Sequence, residues 1–199
     1  VGVFGGTYDP VHFGHLICAE QLSESLDLDL VLFIPCCRSP HKPDYVPAED
    51  RHRLAMTKLA THNRPGFQVS DLEIVRGGLS YTVDTVRQLR EQFGPDVEIW
   101  LLMGMDAYLD FPRWERPEEI AGECRFGVAC RPGYVKNLDE GLPLAKTRFV
   151  DITPVDISST DIRERLRRGR SICFLLPADV EAYIRKNRPY PTSDRERPA

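Results

Sequence analysis

The sequence predicts an α/β fold: a doubly wound, mostly parallel sheet with helices on both faces and a small helical segment at the C-terminus. Three observations predict it. Apolar runs of strand length alternate with amphipathic stretches of helix length along the whole of 1–187, the pattern that right-handed β–α–β crossovers require. The first apolar run ends in a Gly-Gly turn that feeds directly into a helical pattern. Hydrophobic residues make up 42% and charged residues 28% of 199 residues, enough apolar material for one core and too short a chain for two comfortable ones. One domain is therefore expected over 1–190, with a polar, proline-bounded tail at 191–199 left disordered.

Residues 1–4 read as a buried strand, followed by a helix over 13–26 with Leu16, Ala19, Leu22 and Leu26 at helical spacing. A second strand is expected at 30–34. The segment 35–47 holds four prolines; it reads as an extended loop longer than the median connector, which suggests a functional role. Next come a helix over 48–62, with Glu49 and Asp50 in its first turn, and a strand over 67–72. Ser80 is positioned to cap a helix carrying Val83, Val86 and Leu89. Strands over 97–103, 125–130 and 148–152, then helices over 159–168 and 177–187, complete the chain. In such sheets ligands bind beyond the carboxyl ends of the strands, which directs attention to 5–15, 35–43, 104–114 and 131–133.

Composition excludes several classes. With 26 Lys+Arg against 30 Asp+Glu, net charge -4, the chain lacks the basic surplus of a non-specific nucleic-acid binder. No apolar run approaches the ~20 residues of a membrane helix. The six cysteines form no C-x-x-C pair, so the usual zinc spacing is missing. Most have apolar neighbours in sequence, as in 127–130 and 172–174, and read as reduced core residues. The adjacent Cys36 and Cys37 would close a strained ring. The chain opens on Val1-Gly2-Val3-Phe4 with no basic or apolar leader pattern. Its lack of an initiator Met is expected to reflect trimming, and a reduced, cytoplasmic protein is expected.

The chemistry concentrates after the first strand, in Gly5-Gly6-Thr7-Tyr8-Asp9-Pro10-Val11-His12-Phe13-Gly14-His15. A G-x-G-x-x-G fingerprint is absent, and no Gly-Lys dipeptide exists to make a Walker A loop. What remains is a turn leading into a helix whose start presents two imidazoles three residues apart, on one face. A helix N-terminus is already an anion site, and two imidazole donors beside it suit a polyphosphate. Gly14 between them is expected to leave room for a ligand against the backbone.

This motif resembles the signature of the HxGH-type nucleotidyltransferases. One branch is indicated by Ser39-Pro40-His41-Lys42-Pro43, Ser80-Tyr81-Thr82, Gly104-Met105-Asp106, Phe111-x-x-Trp114, Arg131-Pro132-Gly133 and Ile157-Ser158-Ser159-Thr160-x-Ile162-Arg163. In this order they are similar to the bacterial nicotinate-nucleotide adenylyltransferase family over essentially all of 1–190. Two departures stand out: Tyr8 where Phe is usual, and Cys36-Cys37-Arg38 in place of a more polar stretch.

The resemblance implies a Rossmann-like fold and the reaction of ATP with nicotinate mononucleotide to give deamido-NAD and pyrophosphate, with Mg²⁺ carried on the ATP phosphates. It implies catalytic roles for His12, His15, Lys42 and Arg163. ATP would be bound by Gly5, Gly6, Thr7, His12, Gly14, His15, Gly104, Asp106, Ser159, Thr160 and Arg163. Nicotinate mononucleotide would be bound by Lys42, Tyr81, Thr82, Trp114 and Arg131, with Trp114 stacking on the base and the Tyr81–Thr82 segment receiving the carboxylate. No nucleic-acid or membrane partner is implied, and a homo-oligomer is left open. The chemistry agrees: a nucleotide's terminal phosphate, with a second pKa near ~6, is already an anionic nucleophile at neutral pH, so no general base is needed. Two other readings remain at this point. One is a sibling enzyme such as phosphopantetheine adenylyltransferase or a cytidylyltransferase; the other is a non-catalytic nucleotide sensor on the same fold.

Overall fold

A computed structural model describes residues 1–42, 44–130 and 141–191. Six strands form one sheet: β1 (Gly2–Gly6), β2 (Val31–Pro35), β3 (Phe67–Val69), β4 (Trp100–Gly104), β5 (Arg125–Cys130) and β6 (Thr147–Asp151). Their order is β3-β2-β1-β4-β5-β6 and every pairing is parallel. The winding reverses between β1 and β4, so a crevice opens where their carboxyl ends diverge.

Eight helices are described: α1 (Phe13–Ser25), α2 (Asp50–Thr61), α3 (Leu72–Arg76), α4 (Thr82–Phe93), α5 (Met105–Asp110), α6 (Pro117–Glu123), α7 (Ser159–Arg167) and α8 (Ala178–Asn187). They bury two apolar layers, one on each sheet face. Val83, Val86, Leu89, Tyr108, Phe111 and Ile120 pack against Leu101, Met103, Phe126 and Val128 in one layer. Ala19, Leu22, Met56, Ile162, Val180 and Ile184 pack with Phe4, Phe33, Trp100 and Leu102 in the other. Because side chains alternate along a strand, β4 supplies Leu101 and Met103 to one layer and Trp100 and Leu102 to the other. Gly127 lets the end of α1 seat closely: a Cβ there would stand 2.6 Å from Leu26 and 2.9 Å from Leu102.

Three sequence expectations are corrected. The strand expected over 67–72 stops at Val69, and Leu72–Arg76 is helical; five residues ended by Gly77 at φ 72° are too few to show a helical period. Ser80 does not cap α4. The N-cap is Tyr81, and the Ser80 hydroxyl instead accepts the Cys37 amide at 3.0 Å. Cys173 is not a core residue; it is exposed, next to an equally open Phe174 at 87%. The Cys36 and Cys37 thiols are both free. Arg131 and the tail from 192 onward lie outside the described residues. Among the described residues no helix is long and apolar enough to cross a membrane.

Candidate active site

A cleft of about 890 Å³ opens at the carboxyl edge of β1 and β4. Gly5, Gly6 and Thr7 form its floor after β1, and Gly104 and Asp106 follow β4. His15 comes from the first turn of α1; Ser159, Thr160 and Arg163 come from α7. Lys42 enters from the proline-rich loop, Thr82 from the start of α4 and Trp114 from beyond α5. The folding thus gathers most of the residues singled out in the sequence, spread from 5 to 163, around one space. His12, Gly14 and Tyr81 do not line it.

The two histidines differ in kind. The His15 Nδ1 accepts the His12 backbone amide at 3.2 Å. A neutral His15 then carries its proton on Nε2 and offers it as a donor. Burial, with His12 and Lys42 nearby, pushes its pKa well below the ordinary histidine value. His12 packs its ring 3.8 Å from that of His15, is 6% exposed, and its Nδ1 has no hydrogen-bond partner. Burial pushes its pKa down to about 4. Gly14 makes room for the protein itself: a Cβ there would stand 3.0 Å from the His12 ring and 3.4 Å from the Ile157 carbonyl. That is a different reason for glycine from the expected approach of a ligand.

α7 is braced against the segment after the Gly-Gly turn. Ser158 caps it by accepting the Asp161 amide at 3.0 Å, and Ser159 donates to the Pro10 carbonyl at 2.8 Å. Arg163 donates to the Asp9 carbonyl at 2.6 Å and to the Thr160 hydroxyl at 3.1 Å, with its guanidinium 5.0 Å above the Tyr45 ring. This puts a helix start and a cation at one edge of the cleft.

At the opposite edge, Trp114 is half-buried, with Phe111 and His41 ring centroids each 5.5 Å away. It is neither a core residue nor free, but a held aromatic face bordering the cleft. α4 begins on the same cleft with no side-chain cap; the Asp84 amide turns back to the Tyr81 carbonyl at 3.2 Å, which leaves the Thr82 and Val83 amides available to an anion. Glu73, buried in the same wall, accepts the Thr85 hydroxyl at 2.5 Å and lies 4.0 Å from Arg76. Burial raises its pKa.

Sequence reasoning gave no role to Asp9, Tyr45 or Tyr190. Asp9 is 2% exposed and accepts hydrogen bonds from the Tyr45 and Tyr190 hydroxyls, the latter at 2.8 Å, and from the Ala48 amide at 3.3 Å. It ties the proline-rich loop and the chain's last described turn to the motif after β1. Asp9 stood in that motif, but partners 36 and 181 residues away left no local signal.

A parallel sheet with an anion-ready edge at its switch point is a nucleotide-binding arrangement, and residues 3–165 match the cytidylyltransferase-like family, which places the chain among nucleotidyltransferases. A probable nicotinate-nucleotide adenylyltransferase of Moorella thermoacetica is 42% identical over 93% of this chain and 88% of its own length. One of Thermus thermophilus is 44% identical over 94% of this chain and 97% of its own. The solved Plasmodium falciparum nicotinic acid mononucleotide adenylyltransferase, complexed with NaAD, shares the fold with a TM-score of 0.75 at 22% identity, covering 94% of both chains. The chain belongs to the nicotinate-nucleotide adenylyltransferases, enzymes of NAD biosynthesis.

Proposed function

We propose that the chain transfers the adenylyl group of ATP to nicotinate mononucleotide, giving deamido-NAD and pyrophosphate by direct in-line attack with no covalent intermediate. The observation that carries this reading is the single cleft lined by His15, Lys42, Arg163 and Thr160 at one side and by Thr82 and Trp114 at the other. One side suits phosphates and the other a flat anionic ring.

ATP lays its phosphates over Gly5, Gly6 and Thr7, with Asp106 beyond β4 accepting from the ribose. Gly5 and Gly104 have nothing within 4 Å of where a Cβ would sit, which leaves the backbone open to a ligand. The mononucleotide stacks its base on Trp114 and sets its carboxylate at the uncapped start of α4. Its phosphate oxygen attacks the α-phosphorus, the bond to the β-phosphate oxygen breaks, and pyrophosphate leaves. His15 donates through Nε2 to the charge that builds during transfer, Lys42 closes over it, and the Arg163 fork with the α7 amides receives the leaving group. His12 acts from behind His15: its backbone amide fixes the tautomer and its ring supports the His15 ring. Arg131 is proposed to meet the mononucleotide on the resemblance alone.

Magnesium fits as a companion of the nucleotide. Among the described residues no three His, Cys, Asp or Glu side chains gather to hold a cation, and Mg²⁺ commonly keeps waters and substrate phosphates as its ligands. It would offset phosphate charge. A chain acting in this way is expected in the cytoplasm, where ATP is supplied.

The test is product formation. Purified full-length protein with ATP, Mg²⁺ and nicotinate mononucleotide should release pyrophosphate and form deamido-NAD in equal amounts. Folded protein that binds ATP and forms no dinucleotide would leave a nucleotide sensor; turnover with phosphopantetheine instead would establish a sibling enzyme.

A further inference from the structure

Arg53 has no side-chain surface open to solvent and no part in the chemistry proposed above. A guanidinium taken out of water persists only when its donors are engaged and its charge is paired. Nε donates to the Ala48 carbonyl at 3.0 Å, one terminal nitrogen to the Thr7 carbonyl at 2.8 Å, and the other to the Cys37 carbonyl at 3.3 Å and to the Asp50 carboxylate. The three carbonyls come from three places: the turn after β1, the point where the chain leaves β2, and the point where it enters α2. Cys37 and Ala48 are the two feet of the loop that carries Lys42.

The Thr7 contact has a directional consequence. In a trans peptide the carbonyl and the following N–H point opposite ways, and the cis bond of this turn lies further on, at Asp9–Pro10. Holding the Thr7 carbonyl on Arg53 turns the Tyr8 N–H away from Arg53, which does not line the cleft that Thr7 and Tyr8 border. That amide has no protein acceptor among the described residues. Tyr8 sits at φ 49°, a left-handed backbone that a tyrosine keeps only when its surroundings hold it there. Its ring is fixed by a hydrogen bond to the Phe4 carbonyl at 2.5 Å.

We propose that Arg53 is a positioning residue for adenylyl transfer: its one guanidinium plane sets the phosphate turn, so that the Tyr8 amide faces the transferring phosphates, and fixes both feet of the Lys42 loop, at Cys37 and Ala48, so that Lys42 reaches those phosphates from a set base. The inference rests on the adenylyl-transfer reading. Planar, multi-carbonyl bonding is what an ammonium cannot reproduce.

The experiment compares Arg53→Lys with the parent chain. Turnover is expected to fall on the order of a hundredfold, as a slight misplacement of reacting groups does. KM for nicotinate mononucleotide should hold, because Trp114 and Thr82 stand on the far wall. ATP should slow tryptic cleavage after Arg38, an exposed residue of the same loop, in the parent and no longer in the variant. Unchanged turnover overturns the proposal, and so does an equal loss in turnover and in both KM values, which would mark a purely structural residue. If the variant does not fold, the parent's amide resonances decide. On titration with inorganic pyrophosphate the Tyr8 amide should shift saturably together with that of His15; a stationary Tyr8 amide while His15 shifts overturns it. A parent that makes no dinucleotide refutes the adenylyl-transfer reading itself, separately from any effect of Arg53.

Discussion

Replacing His15 by Ala removes two things that the structure places on one ring. The first is the Nε2 donor facing the cleft, its tautomer set by the His12 amide at 3.2 Å. Loss of one preorganised donor to a charge forming in the transition state costs ~2.7–4 kcal/mol, or about 10²–10³ in turnover. The second is the acceptor for that buried His12 amide, whose loss costs about 1–3 kcal/mol of stability and lowers Tm by a few degrees for a chain of this size. The two effects separate experimentally. Initial rates of pyrophosphate release, taken well below the variant's own melting temperature, should show kcat reduced by the larger factor while ATP still binds. Turnover within about threefold of the parent, less than 1 kcal/mol by the same arithmetic, would refute the role given to His15.

Arg163→Lys keeps the charge but loses the fork that reaches Asp9 and Thr160; KM for ATP should rise about ten- to a hundredfold, and initial rates against ATP concentration check it. Unchanged KM and kcat would remove Arg163 from the phosphate site. His12, lowered to about 4, binds its proton more weakly folded than unfolded. Its contribution to stability is therefore full above the unfolded value near 6.5 and is lost as pH falls to about 4, a change of about 3 kcal/mol; His15 acts in the same direction. Urea unfolding at pH 7.5 and 4.5 should show a smaller drop for His12→Gln than for the parent, and an identical drop contradicts the assignment. Because both rings are neutral at pH 7, kcat/KM for ATP should stay level from pH 7 to 9, whereas a required imidazolium would make it fall about tenfold per unit.

The strands were legible because each is a short apolar run between polar segments, and β1, β2, β4, β5 and β6 fall within a few residues of where the pattern puts them. The edge strand β3 was legible but drawn three residues too long, and helix α3 was missed, because 72–76 carries too few residues to show a helical period. So were α5 and α6, of six and seven residues, broken by Phe111–Arg113 and started by Pro117. In the site, His15, Thr7, Arg163 and Trp114 were legible because chemistry or family motif marks them. Arg53 and Tyr190 were not. Arg53 reads as an ordinary polar member of an amphipathic helix and Tyr190 as a residue of the proline-bounded stretch after the last one; only the tertiary fold shows that one is wholly buried and that the other reaches Asp9.

We propose that this cleft adenylylates a pyridine mononucleotide and reads its charge. The structure offers the uncapped start of α4, with Thr82 on the wall, to a carboxylate. A neutral amide would set donor against donor there, costing ~1–3 kcal/mol. The decisive measurement is kcat/KM for nicotinate and nicotinamide mononucleotides in the parent and in Trp114→Ala. An acid preference of about ten- to a hundredfold is expected, with Trp114→Ala weakening both substrates and leaving the ratio intact, since stacking does not sense the substituent. Equal constants in the parent, or a ratio abolished by Trp114→Ala, would contradict it.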